Sequence, residues 1–378
     1  MRTAFKKQFG ESEFPIEYFF CPSLLQLFGD YLENHGGMCM HIATEWGIYA
    51  AVRLRSDAQI HFATVGKQAS IKLADLGQMN ANPNHQEWAN ASLRIFQSIH
   101  QHENVIQGFD IMFFNSHSHE IDASFSPLLE VLSAYIALYP IYKNKIDRSD
   151  ILSICGALNI ESGIEKCMAQ KGAVLSKHAN VLLFDTKRNL TQLEPINLGP
   201  YQLLLLEPIL SDQMPKEILA KRLSESVEAL SVLQKNISIE FLCDAGFKDM
   251  VYLHDALLSN RAMHCIGENI KAEEAVNVLR ENYIEHLGKL LTASHKSIVS
   301  DYEIFSEMHH KLVDESILIE GCAGAKMVQM GSYIFALAMV HQDAIDAFKM
   351  NVEIKFKAKT DLHLNTYSIK ISDGVKRV

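Results

Sequence analysis

The sequence predicts an α+β protein of two domains, and three observations carry that reading. The chain has 378 residues, too long for one ordinary hydrophobic core and suited to two. Strand-like and helix-period segments occur in both halves. The composition, 48% hydrophobic and 21% charged, is that of a folded globular chain. Low-complexity runs and long charge blocks are missing, so no disordered region is expected.

The elements follow in order. Residues 3–10 read as a short amphipathic helix closed by Gly10. Strand-like runs at 16–21 and 46–54 flank the segment 21–44. Residues 61–64 and 69–73 read as a hairpin. Residues 88–102 carry apolar side chains at Trp88, Leu93, Ile95, Phe96 and Ile99, which fits a helix. Residues 109–114 are a strand. Residues 126–139 are strongly helical, with Pro127 where a first-turn proline is tolerated, and 147–160 form another helix. Residues 181–185 and 201–207 are buried-strand runs rich in leucine. The polar connection between them, 186–200, holds the expected domain boundary: 1–195 and 196–378, with the last strands free to return to the first domain. Beyond it lie helices at 216–234, 247–260, 270–279 and 283–299. An apolar, glycine-containing stretch covers 317–330. A strand at 332–340, a helix at 343–350, and closing strands at 352–358 and 366–371 follow.

The net charge of −10 argues against a nucleic acid or an anionic membrane as main partner. It also gives no global attraction for a nucleotide, so a phosphate site must be built locally. Seven scattered cysteines without a CxxC pair read as reduced, buried thiols. The first residues lack an apolar signal core, and no apolar run is long enough to span a bilayer. A cytoplasmic protein is expected.

Seven ordered motifs then carry a resemblance. CPSLLQLFGDYLENHGG at 21–37 is similar to APGRVNLIGEHTDYNGG, with which galactokinases open. Residues 88–96 echo a family helix. GFDIMFFNSHSHEIDASFSPLLEV at 108–131 lines up with the family segment that contains GAGLSSSA. Met168-Ala169-Gln170, with VLLFDTKR at 181–188, matches MDQ and the strand after it. RAMHCIGEN at 261–269, LGKLLTASHKSIVSDYEI at 287–304 and GAKMVQMGSYIF at 324–335 match three further motifs. The chain is identified by them, over essentially its whole length, as a member of the galactokinase family in the GHMP small-molecule kinase superfamily.

The resemblance implies an N-terminal domain with a ribosomal-protein-S5-like mixed sheet, a C-terminal GHMP kinase domain, and an active site between them. It also implies ATP and Mg²⁺. Phosphoryl transfer is mostly positioning and stabilisation of spread negative charge. The family's arginine falls on Leu24, which carries no charge, and its aspartate falls on Ala169, which offers no general base. Glu165 lies about one helical turn from Ala169 and is a substitute base or a solvated helix residue. Lys166 and Lys171 are substitute cations.

In the phosphate loop the family glycines are gone, and Glu120 and Asp122 bring negative charge. Ser124 and Ser126 survive as nucleotide or Mg²⁺ ligands, or as the N-cap of the helix near Pro127. Glu130 is a metal ligand with Ser126, or a partly buried structural acid. Of the third glycine motif only Gly331 remains, and bulky neighbours suggest a packed strand entrance.

The sugar clamp is altered: Asp30, Tyr31 and Glu33, beside Gly36, keep hydrogen-bonding capacity for a sugar or polyol, or are simply turn residues. The family's sugar-binding tyrosine falls near Leu219. His117 and His119 have weak metal spacing, and His264 and His295 read as structural. Three functions follow: a pseudokinase that binds a sugar, a polyol or a protein partner and regulates carbohydrate metabolism, an active sugar kinase with a rearranged site that uses Asp30, Glu33 or Glu165 as base and Lys166 or Lys171 as cation, or a structural subunit of a complex.

Overall fold

A computed structural model describes residues 1–72, 75, 87–103, 107–116, 121, 123–157, 163–209 and 213–378. The chain divides into two compact units. The first comprises residues 1–24, 43–178 and 372–378; the second comprises 25–42 and 179–371. Residues 179–195 thus fall with the second unit, and the last seven residues return to the first.

The first unit is built on strands β1 (Glu17–Phe28), β2 (Met38–Arg55), β3 (Gln59–Thr64), β4 (Lys67–Lys72) and β5 (Gly108–Asn115), in the order β1-β2-β5-β3-β4. Helices α1 (Arg2–Phe9), α2 (Asn90–Glu103), α3 (Ser126–Tyr142), α4 (Arg148–Ala157) and α5 (Ile164–Leu175) complete it. Strand alternation sorts the side chains. Ile48, Ala50 and Val52 of β2, with Phe109, Ile111 and Phe113 of β5, enter one core with residues of α2, α3, α4 and α5. Ala51 and Met112 face the other way and pack with Phe5 of α1. Burying Phe5 alone contributes roughly 2 kcal/mol. On this second face the Arg53 guanidinium donates to Asp110 Oδ2 at 2.6 Å and to the Phe9 and Gly10 carbonyls at 3.0 and 2.9 Å. It therefore neutralises a buried carboxylate and closes the open end of α1.

The second unit contains the hairpin β6 (Asn180–Asp185) and β7 (Leu190–Pro195), with β6 pairing to residues 38–41 of β2. It also contains a four-stranded antiparallel sheet in the order β11-β8-β10-β9. These are β8 (Tyr201–Pro208), β9 (Cys322–Met330), β10 (Tyr333–His341) and β11 (Leu364–Ile369). Helices α6 (Lys216–Leu233), α7 (Ala256–Arg280), α8 (Ile284–Ser300), α9 (Glu307–Ile317) and α10 (Ile345–Thr360) surround it. Where α8 crosses β9, a Cβ on Gly324 would sit 1.7 Å from the Gly288 carbonyl oxygen, so only glycine permits this approach. The short β12 (Lys376–Arg377) pairs with β1.

The α+β expectation stands, with local corrections. Residues 352–358, read as a strand, lie inside α10. Phe348, Val352 and Phe356 recur every four residues and bury one helical face, which outweighs the apparent alternation. Residues 190–195, taken as connection, form β7. Residues 247–252 are a 3-10 turn, and the two helices expected at 247–260 and 270–279 are replaced by the single helix α7. Among the described residues no helix is long and apolar enough to cross a membrane.

Replacing Arg53 by Met is expected to lower the free energy of unfolding by about 3 kcal/mol, read from the urea midpoint and slope. A loss below about 1 kcal/mol would mean that Arg55 and His61, the other partners of Asp110, already neutralise it.

Candidate functional site

In the second unit, the turn that follows β1 is held by tight backbone contacts. Gly29 has φ 81°, and a Cβ there would lie 2.1 Å from the Met38 carbonyl oxygen. Gly36 has φ 73°, and a Cβ there would strike the Phe241 ring at 2.4 Å. The turn presents Asp30, Tyr31 and Glu33 together.

Asp30 is 7% exposed and forms an ion pair with Lys326 of β9, which is fully buried. The same ammonium donates to the Leu27 carbonyl at 3.0 Å and to Ser294 Oγ at 3.1 Å, and lies 5.9 Å over the Phe28 ring. Ser294 Oγ sits 3.1 Å from Glu268 Oε2, and Lys271 binds the other oxygen at 3.0 Å. Burial pushes the Asp30 carboxyl up, and Lys326 partly offsets the rise. Burial works the same way on Glu268, but Lys271, His264 and Lys326 outweigh it and hold that carboxyl low.

The Tyr31 ring, at φ 64°, stacks on Tyr302 at 5.1 Å, and Tyr302 stacks on His264 at 4.4 Å. Gln26 Nε2 donates to the Gly29 carbonyl at 2.8 Å and lies 3.5 Å from Glu33 Oε1. Sequence reasoning missed Lys326, Tyr302 and Glu268 as partners of this turn. The available signal was a lone lysine in the apolar run 322–330.

Gly331, φ 61°, is the first of two residues that turn β9 into β10, with Met330 paired to Tyr333. The Ser332 carbonyl accepts the Met214 N–H at 2.8 Å, and Gln213 bridges to Tyr333. Strand pairing runs up to Met330 and Tyr333 on either side of this two-residue turn.

In the first unit, Leu24 packs against α5, where a Cβ on Gly172 would lie 2.0 Å from Leu24 Cδ1. Ala169 is half-buried on the same helix. Glu165, one turn earlier, keeps an exposed face, yet crowding by the surrounding protein pushes its carboxyl up. Glu130 is fully buried and is bonded by Lys166, Gln170 and Arg94. The N-cap of α3 is Phe125, with no side-chain capping bond, so neither Ser124 nor Ser126 caps it. A 3-10 turn at 123–125 leads straight into the helix instead. His117, His119, Glu120 and Asp122 lie outside the described residues.

A third cluster joins His295, His310 and Asp314, whose ligand-type atoms lie within 4.8 Å of one another. The Met327 N–H donates to His295 Nδ1 at 3.2 Å, so the ring proton sits on Nε2 and points to His310 Nδ1 at 3.0 Å. His310 Nε2 then faces Asp314 at 3.5 Å. A metal on His295 Nε2 would need the ring proton on Nδ1, against the Met327 N–H. The trio is a chain of two imidazoles and a carboxylate, in which burial keeps His295 neutral. The pair His310 and Asp314 went unnoticed in the sequence because α9 has little apolar signal.

Residues 3–54 match the model of the galactokinase galactose-binding signature. The galactokinase of Fusobacterium nucleatum is 27% identical, over 96% of this chain and 95% of that protein. The galactokinase of Clostridium tetani is 24% identical, over 100% of this chain and 97% of that protein. Among solved structures, Lactococcus lactis galactokinase complexed with galactose superposes with a TM-score of 0.84 at 21% identity, covering 100% of this chain and 98% of that one. Methanococcus jannaschii mevalonate kinase gives 0.66 at 14% identity, over 96% of this chain and 100% of that one. The fold is the α+β fold of the GHMP kinases.

Four buried imidazoles, all in the second unit, give a test of this packing. Burial holds His35 at about 4, His41 at about 3, His264 at about 4 and His295 at about 3. Each is neutral when folded, whereas in the unfolded chain each takes a proton near pH 6.5. Their contribution is complete above that pH and is lost as pH falls towards 4. Stability should drop by up to about 5 kcal/mol per pH unit in that window. Urea midpoints at pH 7.0, 6.0 and 5.0 (about these values suffice) check the slope; a flat profile would mean that these rings are already charged or exposed.

Proposed function

We propose, because the chain belongs to the galactokinase family within the GHMP kinases, that its ligand is a galactose-like monosaccharide and that it does not move phosphate by the family's route. The observation that carries this reading is the packing of Leu24 against Gly172 on the helix that bears Ala169. Phosphoryl transfer needs a cation beside the transferring group and a base for the hydroxyl. At these two positions the chain offers hydrocarbon.

Family membership implies ATP and Mg²⁺. The residues present suit them poorly: Gly331 sits in a tight two-residue turn between paired strands, and both oxygens of Glu130 are engaged by protein donors. Ser124 and Ser126 are the remaining polar positions for a nucleotide. The sugar side is better preserved. Asp30, Tyr31 and Glu33 share one turn, and the galactose in the Lactococcus lactis complex supports a sugar of that class. A ligand-binding or regulatory role in carbohydrate metabolism follows, with a protein partner as the reader of the bound state.

A second reading, an active sugar kinase with a rearranged site, is favoured by the curated relatives, which are named galactokinases over nearly their whole length. Glu165 then becomes the base. It lies four residues before Ala169, on the same helical face, with its carboxyl raised towards the range of a proton acceptor. Lys166 is a poorer replacement for the missing arginine, since its ammonium is bound to Glu130.

The readings separate in one experiment. ATP consumption is followed over a panel of sugars, beside thermal shifts with galactose and with ATP–Mg²⁺. The expected result is no turnover and a midpoint raised by a sugar. Turnover abolished by Glu165→Gln would establish the kinase. We also expect the double variant Leu24→Arg, Ala169→Asp to stay inactive, because the phosphate loops are still lacking; measurable galactose phosphorylation by it would show that those loops are dispensable.

A further inference from the structure

The resemblance assigns Glu130, with Ser126, to a divalent cation. Here the carboxylate has other company. It is 0% exposed and sits one turn inside α3. Lys166 Nζ lies 2.8 Å from Oε1, Arg94 Nη2 lies 3.2 Å from the same oxygen, and Gln170 Nε2 donates to Oε2 at 2.6 Å. Lys166 and Gln170 are four residues apart on α5, so one helical face delivers both donors, and α2 delivers the third. Both oxygens are thus engaged within the protein.

A Mg²⁺ ion at Glu130 would need an oxygen at roughly 2.0–2.1 Å and a largely oxygen shell. The ammonium and guanidinium occupy that space, and their charges repel a dication. Gln170 turns an N–H, not its carbonyl, towards the carboxylate. The donor set is therefore built for an internal cation. Lys166 is mostly covered, with 19% of its side chain exposed, while Arg94 is 48% exposed and carries the cluster's excess positive charge to the surface.

We propose that the Lys166 ammonium, backed by Arg94, stands permanently in the place of a divalent ion at Glu130. This end of α3 is then a site whose charge balance is complete without a metal. The inference rests on the family assignment of Glu130. It does not rest on whether phosphoryl transfer has been lost.

Mn²⁺, read by its free-ion EPR signal, is the probe. The wild-type chain is expected to leave that signal unchanged. Lys166→Met with Arg94→Met should acquire one bound Mn²⁺, and adding Glu130→Gln should abolish it. Lys166→Arg, which keeps the charge, should stay silent. If the double variant fails to fold by circular dichroism, Lys166→Gln alone replaces it, with the same expected gain. A free-Mn²⁺ signal reduced by the wild type and restored by Glu130→Gln would overturn the proposal, as would a folded Lys166 variant that gains no ion. A silent wild type that still phosphorylates a sugar would sink the proposed function and leave this inference standing.

Discussion

The second unit depends on a lysine that never reaches water. Lys326 is fully buried on β9 and meets Asp30, the Leu27 carbonyl and Ser294 Oγ. An isolated ammonium in such a place would lose its proton or unfold the chain. Asp30 supplies the opposing charge. The pair also joins three elements remote in sequence: the end of β1, α8 and β9. Desolvating two charges is expensive, so the pair adds little net stability of its own. What it supplies is position, because either charge without the other is strongly unfavourable. The turn with Tyr31 and Glu33 is fixed for this reason, and Tyr31 leans on Tyr302 rather than swinging free. Asp30 is correspondingly unsuited to act as a base, since one of its oxygens is already the partner of an ammonium.

The same rule governs the first unit. Asp110 is answered by Arg53 and Arg55, and Glu130 by Lys166 and Arg94. In a chain with net charge −10, these buried carboxylates each face a cation. These pairs are complete without any ligand. A site meant for ATP and a metal keeps some charges uncompensated until the ligand arrives. The described residues of this chain show the opposite disposition: cations are matched to acids, and the glycine positions of the third motif are filled by paired strands.

How much of this was legible in the sequence differs by kind. Local order was readable wherever a period ran long enough. Helices α3, α6 and α8 and strand β5 fall where the residues put them. Residues 352–358 misled because a helix burying Phe348, Val352 and Phe356 leaves polar residues between, and a short window of that pattern looks like alternation. Strand β7 was hidden by its charge and polarity; it is an edge strand with only Glu194 fully covered. The family resemblance delivered the fold and located Leu24 and Ala169 by alignment. The pairs that matter most were out of reach. Lys326 and Asp30 are 296 positions apart, and nothing in either neighbourhood names the other. Glu130 shows the limit from the other side. Its survival read as a relic metal ligand, yet whether a carboxylate holds a metal is decided by what faces it, here an amine from a helix 36 residues further on.

Leu24 and Ala169 each have a local physical reading. An arginine and an aspartate aimed at an open site are uncompensated polar groups, which a fold tolerates only for the sake of activity. Leucine at 24 turns that position into packing. Gly172 leaves the space that Leu24 Cδ1 fills. Alanine at 169 is the best residue for a helix interior and removes a charge from a half-buried face. Both residues therefore favour the folded state locally. Stability arguments alone thus cannot preserve the catalytic pair, whereas the Asp30 turn, held by Lys326 and stacked aromatics, is part of the core's own construction. That asymmetry separates the Asp30 turn, built into the core, from the positions of Leu24 and Ala169.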